Sequence, residues 1–495
     1  MSGLEALRRD PLLAAARAAL APGEEGWLVG GLLRDAALGA RGPLVDLDLA
    51  VSGPAGPYAR RLARRLGGAS AFPLDAGLDI HRLSLKAAPG RPAAQVDVAR
   101  VQGGSIAADL ARRDFTVNAM ALPLAGAAAL LDPLGGLADA RAGLLRATAE
   151  KVFPEDPLRI LRLFRLGART GLAPETRTLA WAKRHRALIR RPAGERVRAE
   201  LMSLLAAPDS AVWLRRLDEA RILTEVFPEL EPARACARSY YGPGGVMEHS
   251  LRTVERVDFL LASLGTVFPD HHAEIGAVLE AGGGRSELLR LGALLHDVSK
   301  PECAKRVGGR LRFFGHDEVG AGRARAALAR LRFSRDEQDS VEAWVRHHLR
   351  PGHLAAGGPI TDKAVYRFFR DLGERGVTQL LVCWADHASY LEPKSVERGL
   401  EAAAAEPGTP LPRWARGDAG KTLHHLRVVG LLLSRWFRSP ARTRPTPLLD
   451  GNAVMKALKL KPGPEVGEVL RALTEAQAEG AVTSRTEALA WLRSR

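Results

Sequence analysis

Apolar positions along the first part of the chain come in short runs broken by Gly and Pro: Trp27–Val29, Val45–Val51, Ile80–Lys86 and Ala94–Val98. Runs of this length and punctuation predict strands. Leu32–Leu38 keeps a helical period and predicts a helix between the first two. In the second run Val45, Leu47 and Leu49 alternate with Asp46, Asp48 and Ala50. Strand side chains alternate between faces, so both aspartates share one face and the aliphatics fill the other. Two like charges side by side, in a residue type that disfavours strands, call for a reason. From about Glu150 the strand signal nearly vanishes. "DPLRILRLFRLGART", "ERVRAELMSLLAA", "SELLRLGALLHDVSK" and "SVEAWVRHHLR" carry the helical period instead. The pattern predicts an α/β or α+β N-terminal unit followed by a mostly helical remainder. Gly242–Gly245 and Glu280–Glu287 predict loops, Arg438–Pro447 with its three prolines a linker, and Gly467–Arg495 a last helical piece.

Composition adds domain count and partner class. The 495 residues exceed one core and predict three or four units. A net charge of +16, from 72 Lys+Arg against 56 Asp+Glu, favours a polyanionic partner. Much of that excess is Arg in a chain rich in Ala, Arg and Gly, which tempers the inference. Three widely spaced cysteines, Cys236, Cys303 and Cys383, exclude a disulfide framework and a thiolate zinc site and fit a reducing, cytoplasmic setting. The opening "MSGLEALRRDPLLAAARAALAPG" has acidic residues and an Arg pair where a secretion signal needs an apolar core. It reads as a short amphipathic helix, and no apolar run reaches the roughly 18 residues of a membrane span.

Four elements then carry candidate chemistry. "WLVGGLLRDAALG" runs a strand into Gly30-Gly31 and straight into a helix, a turn that lets backbone N–H groups approach a phosphate, with Arg34 one turn on. Asp46 and Asp48 follow on the next strand, and a carboxylate pair beside an anion cradle fits Mg²⁺ bridging to a triphosphate. Taken alone, the turn is more often only a turn, and the pair a solvated strand edge. "ADLARRDFTVNAMAL" supplies Arg112, Arg113, Asp114 and Asn118, read either as a salt-bridged helix face or as ribose and phosphate contacts. "EDPLRILRLFRLGART" places Asp156, Arg159, Arg162 and Arg165 every three residues, a stripe along one helix side. Asp and Arg fixed on a helix offer the acceptors and donors that reading a base edge needs, although a plain basic face is the commoner use.

In this order the four elements resemble the class II tRNA nucleotidyltransferases, the CCA-adding enzyme group that also includes bacterial poly(A) polymerases. The matching pieces are GG-x-x-RD at Gly30–Asp35, Asp46 and Asp48, RRDFTxNA at Arg112–Ala119, Leu131–Thr148 and EDPLRILR at Glu155–Arg162. Glu195–Leu201 is similar to the neck helix that follows, so the resemblance covers about the first 230 residues. It implies an α+β fold: a polymerase-β-like head with a mixed sheet and helices, then an all-α neck, body and tail. It further implies that Asp46 and Asp48 hold catalytic Mg²⁺, and that Gly30, Gly31 and Arg34 meet the triphosphate. Arg113 would contact nucleotide and Asp114 a ribose hydroxyl. Asp156 and Arg159 would template CTP or ATP, Arg162 and Arg165 would neutralise phosphate, and Asp97 would be a looser third carboxylate. The partners implied are tRNA, CTP and ATP, with no membrane and no indication of oligomeric state.

Histidines are few, 13 in all, yet several cluster with aspartates in helical segments: His249, His296-Asp297, His316, His347-His348 and Asp386. Imidazole with carboxylate suits a divalent metal. The order resembles the HD phosphohydrolase superfamily, with "LLHDVSKP" close to its characteristic run. That resemblance implies one metal of unspecified identity at His249, His296, Asp297 and Asp386. It gives His316 and one of the adjacent pair, His347 in the first instance, to a second metal or a phosphate. The implied reaction is water attack on a phosphoester such as a 2′,3′-cyclic or 2′-phosphate at an RNA end. The domains read as 1–147 head, 148–235 neck, 236–400 HD body and 401–495 helical tail. Pro447–Gly480 resembles the C-terminal segment of HD-bearing members, departing at Asp450–Ala453.

Two rivals stand beside this reading. A poly(A) polymerase would carry an Arg-rich run between the Asp-x-Asp and RRDFT segments, where this chain has "FPLDAGLDIHRLSLKA". An HD phosphohydrolase with a dead, RNA-binding head would not need intact carboxylates. Whether CCA, CC or A alone is added lies partly in a mobile loop between Asp48 and Arg112 that shows no motif.

Overall fold

The Asp46–Val51 alternation forms a strand near the middle of a six-stranded sheet in the computed structural model. Residues 7–494 are described, apart from 41–43, 68, 88–91, 127–128, 282–284 and 406–407. The first residues of the expected opening helix, Gly42-Pro43 and much of the Gly282–Gly284 loop therefore lie outside the described residues. The chain divides into two compact units, 1–192 with 220–222, and 193–219 with 223–495.

The strands of that sheet, all in the first unit, are β1 Gly26–Val29, β2 Asp46–Val51, β3 Ser70–Asp75, β4 Ile80–Leu85, β5 Ala94–Arg100 and β6 Ala121–Pro123. They lie in the order β3-β4-β5-β2-β1-β6. Only β2 and β5 run parallel; the other neighbours are antiparallel, so the sheet is mixed. Leu47, Leu49 and Val51 of β2 point into a core with Val96, Val98 and Leu28, covered by Tyr58 and Leu62 of the helix Ala55–Arg65. Tyr58 is buried there with its hydroxyl donating to Ala16 O at 2.8 Å, which ties the helix Pro11–Ala18 to the same core. Asp46 and Asp48 stand on the other face, open to solvent. β3 and β6 are not among the predicted strands. β3 is an edge strand exposed along its whole length and contains Pro73, which the edge tolerates.

Among the described residues the second unit is helical apart from a small hairpin of Lys305–Val307 and Arg310–Arg312, exposed and without an apolar signal. The helices Gly245–Ala262 and Arg285–Leu295 are pinned by a buried pair, Arg290 Nε donating to Asp258 Oδ1 at 2.6 Å. Asp258 also accepts from the backbone N–H of Ala211 at 2.8 Å. Arg438–Pro447, expected as a linker, holds a helical turn at Pro440–Thr443 and is tied down: Gln477 Nε2 donates to Thr446 O at 2.9 Å. The helices Gly451–Leu458, Pro464–Glu479 and Arg485–Arg493 build their own core around Val454, Leu473 and Leu492. No helix among the described residues is long and apolar enough to cross a membrane.

Candidate active site and metal centre

β1 ends at Val29, which pairs with Asp48 across the antiparallel ladder. Gly30 then turns the chain into the helix Gly31–Ala37 with φ +80° and ψ −148°. An L side chain rarely adopts that backbone, and a Cβ there would overlap Asp48 Oδ2. The glycine is thus demanded twice, by the turn and by the carboxylate beside it. Asp48 faces Asp97 across the parallel β2–β5 pair. Asp97 is engaged by Arg82, whose Nε and Nη2 each donate at 2.7 Å. The Asp48 carboxyl is shifted upward, first by the protein crowding it and then by the charges of Asp97 and Asp46, with Arg113 pulling the other way.

A hydrogen-bonded chain links the remaining motifs of this unit. Arg34 is 3% exposed, and its Nε donates to Asp35 Oδ1 at 2.8 Å and its Nη1 to Asn118 Oδ1 at 2.9 Å. Asn118 Nδ2 donates to Asp114 Oδ1 at 3.0 Å, and Arg162 Nη1 to Asp114 Oδ2 at 3.2 Å. Arg169 Nη2 closes back on Asp35 Oδ2 at 3.2 Å. Arg34, expected at a phosphate, and Asp114, expected at a ribose, both spend bonds on holding this frame. Burial alone would raise the Asp114 pKa, but Arg162, Asn118 and the Phe115 N–H outweigh it and keep the carboxyl below its ordinary value. Arg113 pairs with Asp109 at 3.3 Å. Asp156 accepts from Leu158 N at 3.3 Å at the start of the helix Leu158–Thr170, which also carries Arg159, Arg162 and Arg165. Arg159 reaches back to Arg112 O and Val152 O, both at 3.3 Å, while its Nε is buried without a hydrogen-bond partner among the described residues.

In the second unit five segments converge on one buried point. His249 lies within the helix Gly245–Ala262, His296 and Asp297 just follow Arg285–Leu295, and His316 begins His316–Arg330. His348 follows Arg335–His347, and Asp386 is near the end of Arg375–Ala388. His249, His296 and Asp386 form one group and Asp297, His316 and His348 another, with ligand atoms within 4.8 Å of one another in each. His249 Nε2 lies 3.2 Å from His296 Nε2, and His316 Nε2 3.2 Å from His348 Nε2. Asp297 spans both groups: its Oδ2 is 3.3 Å from His249 and 3.2 Å from His296, and its Oδ1 3.3 Å from His316.

These residues fit metal ions. The Nδ1 atoms of His296, His316 and His348 sit 2.7, 2.7 and 2.6 Å from the carbonyls of Ala293, Phe313 and Val345. A carbonyl only accepts, so Nδ1 carries the proton and the Nε2 lone pair faces inward. His249 Nδ1 is held by Ser389 Oγ at 3.1 Å. Facing lone pairs repel, and Asp297 Oδ1 and Asp386 Oδ1 are both buried without a hydrogen-bond partner among the described residues. Orphaned buried oxygens are rare in folded proteins, and a cation between the groups satisfies all of them. His347, chosen from the sequence, is half-buried and belongs to neither group. Neighbouring helical positions point about 100° apart, so only one of the two can face inward. The sequence reading also missed Lys300, which donates to Asp297 Oδ2 and, at 2.7 Å, to the Tyr241 hydroxyl. Its place three residues after Asp297 was the available signal. Tyr241 stacks on His249 with ring centroids 4.7 Å apart, and burial pushes its hydroxyl up to about 12. Among the described residues Asp46, Asp48 and Asp97 are not gathered into a group of this kind.

Comparison with known proteins places these features in a wider set. Residues 26–146 match the Poly A polymerase head domain, 171–234 the probable RNA and SrmB-binding site of polymerase A, and 246–391 the HD domain. The chain is 33% identical to the A-adding tRNA nucleotidyltransferase of Deinococcus radiodurans, over 94% of each chain. It is 35% identical to the CC-adding tRNA nucleotidyltransferase of Thermus thermophilus, over 95% of this chain and 93% of that one. Its fold is similar to that of the Thermotoga maritima CCA-adding enzyme complexed with tRNA, at a TM-score of 0.62 and 21% identity over 98% of this chain and 96% of that one.

Proposed function

The chain belongs to the tRNA nucleotidyltransferase family, and from that premise we propose that it extends tRNA 3′ ends with C or A, drawing on CTP and ATP without a nucleic-acid template. The observation that carries the reading is the end-to-end likeness to two such enzymes in a chain that keeps both aspartates of β2 beside Gly30. Both of those relatives are named for adding part of the CCA sequence, and the same partial addition is proposed here. Asp46 and Asp48 would hold Mg²⁺, which when bound supplies positive charge to the triphosphate and acidifies the attacking hydroxyl. Gly30 and Gly31 let the backbone come close to the triphosphate. Asp156 and Arg159, at the start of the helix Leu158–Thr170, would present donors and acceptors to the base edge, and Arg113, Arg162 and Arg165 would balance phosphate charge. The frame from Asp35 to Arg162 fixes the turn, the Arg112–Ala119 segment and that helix relative to one another, which supports in-line placement of the reacting groups. The organisation into head 1–147, neck 148–235, HD body 236–400 and tail 401–495, and a cytoplasmic location, belong to the same proposal.

A second activity is proposed at the HD residues. His249, His296 and Asp386 would hold one divalent metal and His316 and His348 another, with Asp297 between; when bound, the metals activate water toward a phosphoester at an RNA end. The two orphaned carboxylate oxygens favour that use.

Labelled CTP and ATP, offered with tRNA ending at the discriminator base, at C and at CC, test the first reading. Incorporation confined to some of these acceptors is expected. Long A tails would instead indicate a poly(A) polymerase, and no incorporation a head that only binds RNA.

A further inference from the structure

A cavity of 230 Å³ lies in the second unit, lined by none of the residues assigned to the metal centre. Apolar walls come from Phe268, Trp384, Leu426 and Leu431. Two cationic or proton-donating groups, both more than nine-tenths buried, share it. Arg427 is 3% exposed, and its guanidinium donates only to the carbonyls of Ala402 and Thr409, with no carboxylate among the described residues in ion-pair range. His271 is 6% exposed and neither ring nitrogen has a hydrogen-bond partner among the described residues. The ring is held by stacking on Phe437 with centroids 5.3 Å apart. Its nearest carboxylate, Glu274, is half exposed and 3.8 Å away. Asp270, an acidic residue on the wall, is taken by Arg438 Nη2 at 2.8 Å.

A guanidinium without a counter-ion and an imidazole without a hydrogen bond are both costly in an apolar cavity. One occupant relieves both: an anion whose oxygens reach Arg427 and His271 and whose body fills the space against Trp384 and Phe268. We propose that this cavity is a binding site for a small organic carboxylate with an aromatic or branched aliphatic body. A planar carboxylate matches the guanidinium fork, and Ser434 adds a hydroxyl on the same wall. Trp384 sits two residues before Asp386 on one helix and faces this cavity while Asp386 faces the histidines, so an occupant would press on the helix that carries a metal-site carboxylate.

Gly430 offers a clean test. It lies within the helix Asp418–Arg438, lines the cavity, and a Cβ there would meet nothing within 4 Å. Gly430→Leu therefore fills the space without removing a hydrogen bond, whereas an Arg427 variant would strip two carbonyls of their donor. The full-length protein is titrated with benzoate, isovalerate and inorganic phosphate by calorimetry. The His271 ring signal, assigned by its loss in His271→Phe, is followed by NMR. Saturable binding of benzoate or isovalerate is expected, with movement of the His271 signal and at least tenfold weaker binding in Gly430→Leu, which keeps its nucleotide-adding activity. No saturable binding of either carboxylate, or equal binding in Gly430→Leu, overturns the proposal. Phosphate binding as tightly as the carboxylates would overturn the role of the apolar body.

Discussion

Asp48 and Asp297 are both aspartates proposed to hold metal, and they sit in opposite surroundings. Asp297 is fully buried, ringed by four histidines and Lys300, and its carboxyl is held well below the ordinary range; burial opposes this, but the surrounding imidazoles and the Lys300 ammonium prevail. Asp48 opens to solvent, stands among other carboxylates, and is shifted upward. The buried centre has its ligands drawn together and aimed, so a metal can stay as part of the fold. The head carboxylates are not gathered, and a cation arriving with a triphosphate is what would relieve them. A centre that would keep its metal and one that would take it up with substrate can thus be told apart by how the protein treats the charge before the ligand arrives.

The sharpest way to break this contrast is Asp48→Asn. Nucleotide addition should fall by roughly 10²–10³-fold or more, as when an electrostatic group at a reacting centre is removed. The metal that copurifies with the protein, read by mass spectrometry, should be unchanged. Loss of copurified metal in this variant would show that the head, too, holds its cation permanently. Asp297→Asn should do the reverse. It leaves Lys300, itself buried, beside a neutral partner, and breaking such a pair costs about 3–5 kcal/mol. The melting temperature should drop and both metals should be lost. Asp386→Asn should empty only the group of His249 and His296. Equal metal loss in the two variants would remove the bridging role from Asp297.

Gly30→Ala probes the head by a smaller step. The left-handed backbone and the encroachment on Asp48 together cost about 1–3 kcal/mol, so activity should fall by roughly 5- to 150-fold where that cost falls on the reacting geometry. Copurified metal should again stay constant. Activity at the unaltered level would mean that the turn shifts without disturbing Asp48.

The two regions also differ in how far the sequence exposes them. The head motifs are local: Gly30-Gly31, Asp46-x-Asp48 and the Arg112–Ala119 segment can each be read within about ten residues, because a strand or a turn fixes the relative placement of near neighbours. β3 and the hairpin at Lys305–Arg312 were not legible, since edges open to water need no apolar pattern. The metal centre was legible only as an inventory. Residues from five segments over about 140 positions meet there, and no spacing rule says which of His347 and His348 turns inward. That choice rests on the tertiary packing of the helix end, as does the partnership of Lys300 with Asp297. The frame joining Arg34, Asn118, Asp114 and Arg162 was invisible for the same reason: side chains with an obvious use at a ligand are used first on each other.

That frame sharpens the contrast, because it shows the head to be rigid where it would read the base and open where it would bind metal. Asp114 is its hub, taking donors from Phe115, Asn118 and Arg162. Its carboxyl is held below the unfolded value despite burial. A carboxyl lowered in the folded state contributes stability above its unfolded pKa of about 3.9 and loses it as pH falls through the folded value. Asp114→Asn should therefore destabilise the protein near pH 7 by about 1–3 kcal/mol, the worth of hydrogen bonds to a charged group. The gap from the unaltered protein should close as the pH is lowered below about 4. Thermal unfolding of the two proteins across that range checks the sign. A gap that widened on acidification would mean that Asp114 is protonated in the fold, and that the base-reading side of the head rests on packing instead of charge.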